Sequence, residues 1–330
     1  MLISGFDALL SDLDGVVYAG NGAIPKAIEA LNGLSEHAVA LAYVTNNASR
    51  SPKAVAAHLS ELGAPASAGQ VFGSADAGAE LLAQKLPRGS KILVVGSSYL
   101  RDCVTAFGME LVTSHLEGPH GVIQGFDPSI GWKDLAEAAF AINRGAVWVA
   151  TNTDQTIPRA EGIAPGNGML VAAVQAATDV KPFVAGKPEP LLFQRAAENF
   201  EATRPLVVGD RLDTDILGGN NAGYSTALVL TGVDTTATAL AARTAERPDF
   251  LIRDLGELYV PYPTVQATGF GIRCGEAFAS VNGETITIDG DENDLNAWRA
   301  ACAAWWLAHP HVDEETSPLT VFTQTVGSRA

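Results

Sequence analysis

Cysteine is scarce in this chain and positive charge is in short supply, and each shortage closes off a class of function. The three cysteines, Cys103, Cys274 and Cys302, are scattered, odd in number and never in CxxC spacing. They argue against a disulfide framework and suit reduced thiols acting as small apolar residues in a cytoplasm. Lys and Arg together number 21 against 37 Asp and Glu, a net charge of −16, and no basic run occurs. A nucleic-acid backbone or an anionic membrane is therefore a poor main partner. Because the overall field repels anions, any phosphate site must be made locally positive by a metal, a lysine and backbone N–H groups. The amino terminus lacks a charged segment followed by a secretory apolar stretch, and no window approaches the roughly 18 consecutive apolar residues of a membrane span. A soluble, cytoplasmic protein is expected.

What is present is a long alternation of strand and helix patterns. At 330 residues the chain exceeds what one core usually covers, about 250 to 300 residues, so two or three domains are expected. Strand-like Ala8 to Leu13, helical Pro25 to Leu34, strand-like Ala38 to Val44 and helical Pro52 to Leu62 predict an α/β fold with a doubly wound, mostly parallel sheet. The pattern restarts after Leu86 and runs through a helix at Trp132 to Ile142, a strand at Val147 to Thr151 and a helix at Met169 to Ala177. Residues 86–180 therefore read as an inserted α/β domain within a core of 1–85 and 181–260. The strand Phe183 to Ala185 is expected to resume that core, followed by helix 190–200, strand 205–208, helix 214–222 and strand 226–230. The prolines of Tyr259-Val260-Pro261-Tyr262-Pro263 mark a connector. Beyond it, 264–330 reads as a small α+β unit: a hairpin around Asn282-Gly283, a helix over Asp294 to Leu307 and a strand over Leu319 to Val326.

Chemistry-bearing residues sit at the carboxyl ends of the apolar runs: Asp12-Leu13-Asp14-Gly15, Thr45-Asn46-Asn47, Gly186-Lys187-Pro188, and Gly209-Asp210 with Asp215. In an open parallel sheet such ends converge on one crevice. Paired carboxylates, a lysine and small hydroxyl or amide donors suit a divalent cation and a phosphate. Asp12 is the candidate nucleophile and Asp14 the candidate acid and base, since neighbouring carboxylates in unlike surroundings take different protonation states. Asp12, Asp14, Asp210 and Asp215 are the candidate metal ligands, and a hard, oxygen-rich site favours Mg2+. Gly15, Thr45, Asn46 and Asn47 are the candidate phosphate contacts, and Lys187 is expected to stabilise the developing charge. Taken singly, each motif has a structural reading: a turn at Asp14-Gly15, helix caps at Asp210, Asp213 or Asp215, a loop lysine at 187. Their order along the chain outweighs these. Calcium-loop look-alikes at Asp12 and Asp289 lack the required Gly and Glu, Gly269-x-Gly271 lacks the third glycine of a dinucleotide fingerprint, and no Walker loop occurs.

The four motifs together resemble those of the haloacid-dehalogenase superfamily. The insertion resembles the cap of its NagD-like branch, which includes p-nitrophenyl, pyridoxal and phosphoglycolate phosphatases. This resemblance implies a Mg2+-dependent phosphomonoester hydrolase that forms an aspartyl-phosphate. Ala150-Thr151-Asn152-Thr153-Asp154 with Pro165-Gly166-Asn167-Gly168 is similar to the branch's specificity loop, which implies that Asn152 and Asp154 shape or order it. The tail is similar to the truncated GNAT unit of the actinobacterial glycerol-3-phosphate phosphatases, and glycerol 3-phosphate is accordingly the leading substrate. Lacking a Gly-rich loop at a helix start, the tail is expected to transfer no acetyl group. Phosphoglycolate, pyridoxal phosphate and nucleotide monophosphates are the runners-up, and a phosphate-sensing regulatory module is the non-enzymatic rival. The expected partner is a small phosphorylated metabolite, with no nucleic acid and no membrane insertion; self-association through the cap or the C-terminal unit stays open.

Overall fold

Leu9, Leu10, Leu206, Val207, Val208, Ala227 and Leu228 have no exposed surface, the mark of strands covered on both faces. In the computed structural model, which describes residues 1–159 and 162–323, they lie in one of two compact units, formed by residues 1–41 and 202–330. Within it, strands Phe250–Ile252, Ser225–Val229, Pro205–Gly209 and Ala8–Ser11 are neighbours in that order and all parallel. The register sets Ser11 opposite Val208, and the Asp12 N–H donates to Val208 O at 2.9 Å. Asp12 thus stands just past its strand, level with the turn at Gly209-Asp210. The helix expected over 214–222 is two pieces, a π-helical turn Leu212–Ile216 and an α-helix Leu217–Asn221.

The tail belongs to the same unit. Strands Val265–Ala267, Ile272–Cys274, Ala277–Asn282 and Thr285–Asp289 pair antiparallel in sequence order, and Leu319–Phe322 adds parallel to the last. The expected hairpin is there, with Asn282 opposite Thr285 and Gly283 at φ +60°. Of the strand expected over Leu319 to Val326, positions 324–326 lie outside the described residues. Helix Leu295–Ala308 is capped by the Asp294 carboxylate, which accepts the Asn296 N–H. Its Ala300, Ala301 and Trp305 share one apolar cluster with Leu212, Ile216, Leu228, Leu240 and Leu251.

The second unit spans Ala42–Glu201. Its five-stranded parallel sheet runs Phe183–Val184, Val147–Ala150, Gly121–Gln124, Lys91–Val95, Glu110–Val112. Here the expectation for Phe183 to Ala185 needs correction. That short segment pairs with Val149 and Ala150 of the inserted sheet, because two residues of partner backbone suffice to satisfy it there. An antiparallel hairpin, Thr156–Arg159 with Gly162–Pro165, was not anticipated, since Pro158 and Pro165 mask a strand pattern. Strand Ala40–Thr45 ends in this unit and pairs parallel with Val71–Gly73. All three cysteines are free and buried. Burial pushes the Cys103 thiol up to about 12 and raises Cys274 and Cys302 as well, so none is a reactive thiolate. Among the described residues no helix is long and apolar enough to cross a membrane.

Candidate active site

In the first unit, Asp12, Asp210 and Asp215 each present a carboxylate oxygen within 4.8 Å of the other two. Asp12 is half-buried, while Asp210 and Asp215 are 2% and 1% exposed. Each is aimed by its backbone. Asp210 Oδ2 accepts the Val233 N–H at 2.8 Å, and Asp215 Oδ2 accepts the Arg211 N–H at 3.2 Å. The π-turn makes the second contact possible by widening the helix start, with the Ile216 N–H reaching Arg211 O at 3.1 Å. Glycines clear the space: a Cβ on Gly209 would collide with Asp215, and one on Gly15 or Gly232 with Asp210. Asp213 stays outside the cluster, exposed and paired to Arg211 at 3.0 Å.

Three carboxylates this close repel one another unless protonated or bridged by a cation. The donors are hard oxygens on rigid backbone, which fits Mg2+ held by Asp12, Asp210 and Asp215. The Asp14 carboxylate is not one of the three. Asp14 is exposed, and its Oδ2 takes a long 3.5 Å contact from the Tyr18 hydroxyl. Gly15 directs its N–H to Tyr18 O at 2.9 Å and its carbonyl to the Thr231 hydroxyl at 2.6 Å. Its visible contribution is a tight turn at φ +80° beside Asp210.

The second unit gathers the other motifs. Thr45 is buried at the end of its strand, and its Oγ1 accepts the Asn47 N–H at 3.1 Å. Asn47 Oδ1 accepts from Ser49 N–H, Ser49 Oγ and Arg50 N–H, so this side chain organises the turn. Asn46 Nδ2 donates to Asp154 Oδ1 at 2.8 Å and to Lys187 O at 3.1 Å, and its Oδ1 accepts the Lys187 N–H at 2.8 Å. Lys187 is 3% exposed and its Nζ donates to Val44 O at 3.2 Å. Asn152, also buried, donates from Nδ2 to Asn46 O at 2.7 Å. Gly166 and Gly168 let the backbone pass against Asp154 and Thr153, where a Cβ would collide.

Several supporting residues belong to none of the four motifs. Ser74, fully buried, donates to Asn46 O at 2.6 Å. In the loop after strand Ser225–Val229, Thr231 holds Gly15, Val233 holds Asp210, and Asp234 Oδ2 accepts the Leu212 N–H at 2.7 Å. That loop also follows a buried parallel strand, so its position at a strand end was the available signal.

Residues 9–110 match a family model described as haloacid dehalogenase-like hydrolase, and 184–258 match one described as HAD-hydrolase-like. The chain is 40% identical over 323 residues to D-glycerol 3-phosphate phosphatase of Mycobacterium tuberculosis, covering 96% of this chain and 90% of that protein. It also resembles a crystal structure of glycerol phosphate phosphatase from Mycobacterium tuberculosis in complex with magnesium. The TM-score is 0.85 at 38% identity, with 98% of this chain and 96% of the other covered. A shorter relative, an acid sugar phosphatase of Staphylococcus saprophyticus, is 36% identical over 258 residues, 78% of this chain and 98% of its own length.

Proposed function

Because the chain belongs to the haloacid dehalogenase-like hydrolases, we propose that it is a Mg2+-dependent phosphomonoesterase acting through an aspartyl-phosphate, with glycerol 3-phosphate as substrate. The observation that carries this reading is the meeting of the Asp12, Asp210 and Asp215 carboxylates just past two parallel strand ends. Asp12 Oδ attacks phosphorus, and the departing alkoxide takes its proton from the Asp14 carboxyl group. Asp14, now a carboxylate, removes a proton from water. The resulting hydroxide attacks the aspartyl-phosphate, releasing inorganic phosphate and restoring Asp12. Asp12, Asp210 and Asp215 would hold Mg2+, which would supply charge neutralisation for the phosphoryl transfer. Lys187 contributes a buried positive charge that offsets the charge developing on the phosphoryl group, and Thr45 Oγ1 with the Asn46 backbone N–H donates to its oxygens.

The roles of core, cap and tail fall to 1–85 with 181–260, to 86–180, and to 264–330, as motif order and the restarted pattern suggest. Asn152 and Asp154 order the specificity loop, which carries no aromatic side chain from Asn152 to Pro158. That absence favours a small polar alcohol over pyridoxal or a nucleoside as leaving group. Three buried free thiols suit a reducing cytoplasm. The test is phosphate release across small phosphomonoesters with saturating Mg2+. Glycerol 3-phosphate should give the highest kcat/KM, and EDTA should abolish turnover until Mg2+ is restored. A higher rank for phosphoglycolate or a nucleotide would replace the substrate, and turnover surviving EDTA would remove the cation from the reading.

A further inference from the structure

A carboxamide has two N–H bonds to give, and Asn46 gives both, to Asp154 Oδ1 at 2.8 Å and to Lys187 O at 3.1 Å. Its oxygen accepts the Lys187 N–H at 2.8 Å. The side chain therefore grips both backbone groups of Lys187 as a neighbouring strand would, and has no hydrogen left for a phosphate oxygen. The Asn46 carbonyl is also engaged, by Asn152 Nδ2 at 2.7 Å and Ser74 Oγ at 2.6 Å. Asn167 Nδ2 in turn donates to Asn152 O at 2.7 Å. Gly186 seats the lysine against this ladder: a Cβ there would stand 2.5 Å from both Asn46 Oδ1 and Thr151 O.

From this connectivity we propose that Asn46 is a positioning residue that couples the specificity loop to Lys187, with Asp154 as the loop's point of contact. Asp154 stands at the base of the hairpin Thr156–Arg159 and Gly162–Pro165, and its carbonyl accepts the Gly168 N–H at 2.8 Å. The Asp154 carboxylate orients the Asn46 amide, and the amide oxygen and nitrogen hold the Lys187 peptide. Without that carboxylate the amide loses its charged acceptor and is free to turn, loosening the lysine. A residue of the specificity loop thereby bears on the chemistry of the lysine. The proposal rests on Lys187 serving the hydrolysis, so Lys187→Ala is the control: wild-type kcat in that variant would remove the lysine from the mechanism and leave the loop-to-lysine link to be judged by exchange alone.

Two measurements on the full chain decide it. With glycerol 3-phosphate and saturating Mg2+, Asp154→Ala should lower kcat about tenfold, the scale of one charge-assisted hydrogen bond. Asp154→Asn, whose amide oxygen still accepts, should stay within about threefold. Asn46→Ala combined with Asp154→Ala should be no slower than Asn46→Ala alone. In hydrogen exchange, the Lys187 amide should be deprotected by Asp154→Ala and not by Asp154→Asn. Multiplying losses in the double variant, an Asn variant as slow as the Ala variant, or a Lys187 amide indifferent to position 154 would each overturn the coupling.

Discussion

Gly15 shows how one backbone angle can govern a cation site. At φ +80°, with a Cβ bound to strike Asp210, alanine is strained twice over. Gly15→Ala should weaken Mg2+ binding by at least about tenfold in calorimetry, through displacement of the Asp210 carboxylate; unchanged affinity would show that Asp210 is not a ligand. Asp12→Asn keeps shape and removes the charge, so turnover should fall on the order of 10³-fold or more. The same variant relieves repulsion among three carboxylates within 4.8 Å, so without metal it should melt above the wild type, and added Mg2+ should stabilise it less. A lower melting temperature would mean the cluster is already neutralised. Asp7 makes a purely structural case. Burial alone would raise its pKa, but hydrogen bonds from the Thr203 hydroxyl and the Thr203 and Arg204 N–H groups outweigh this and lower it from 3.8. Its contribution is therefore present above the unfolded value and disappears as pH falls through the lower folded one. Asp7→Asn should cost roughly 1–2 kcal/mol in urea unfolding at pH 7 and far less near pH 2.

At the scale of elements, legibility followed burial. Strands such as Ala8–Ser11 and Pro205–Gly209 are wholly buried and left continuous apolar runs that are easy to find. Their ends located Asp12 and Asp210, with Asp215 a few residues on, because position at a strand end is a property of the local pattern. The Leu212–Ile216 turn was harder, since a π-turn and an α-turn share the same residue preferences and differ in one hydrogen-bond step. The hairpin 156–165 was hidden by its prolines, and the pairing of Phe183–Val184 by its shortness. From the sequence either the Asn46 backbone or its side-chain amide suits a phosphate oxygen; only the positions of Lys187 and Asp154 show the side-chain hydrogens already taken. Helix Leu295–Ala308 makes a parallel point about the tail. Arg299, 7% exposed, donates to Leu251 O at 2.7 and 3.1 Å and to Glu257 at 2.6 Å, and lies over the Tyr262 ring. Trp305 is buried in the cluster that also holds Leu212 and Ile216.

For the whole molecule, two global quantities matter, the shared core of the first unit and the net charge. The tail helix and the segment bearing Asp215 lie in one apolar cluster, so removing 264–330 should expose that cluster and yield aggregating protein in place of a smaller active enzyme. The charge of −16 acts on encounter. An anionic substrate approaching an acidic protein is repelled over distances set by screening, about 10 Å at 0.1 M salt. With Mg2+ saturating, kcat/KM for glycerol 3-phosphate should therefore rise roughly two- to fivefold as monovalent salt is raised from about 10 to 150 mM, while kcat stays nearly constant. A fall in kcat/KM over that range would mean that the cation and Lys187 dominate the field an incoming phosphate meets. Encounter would then be steered by the site, and the acidic exterior would bear on solubility alone.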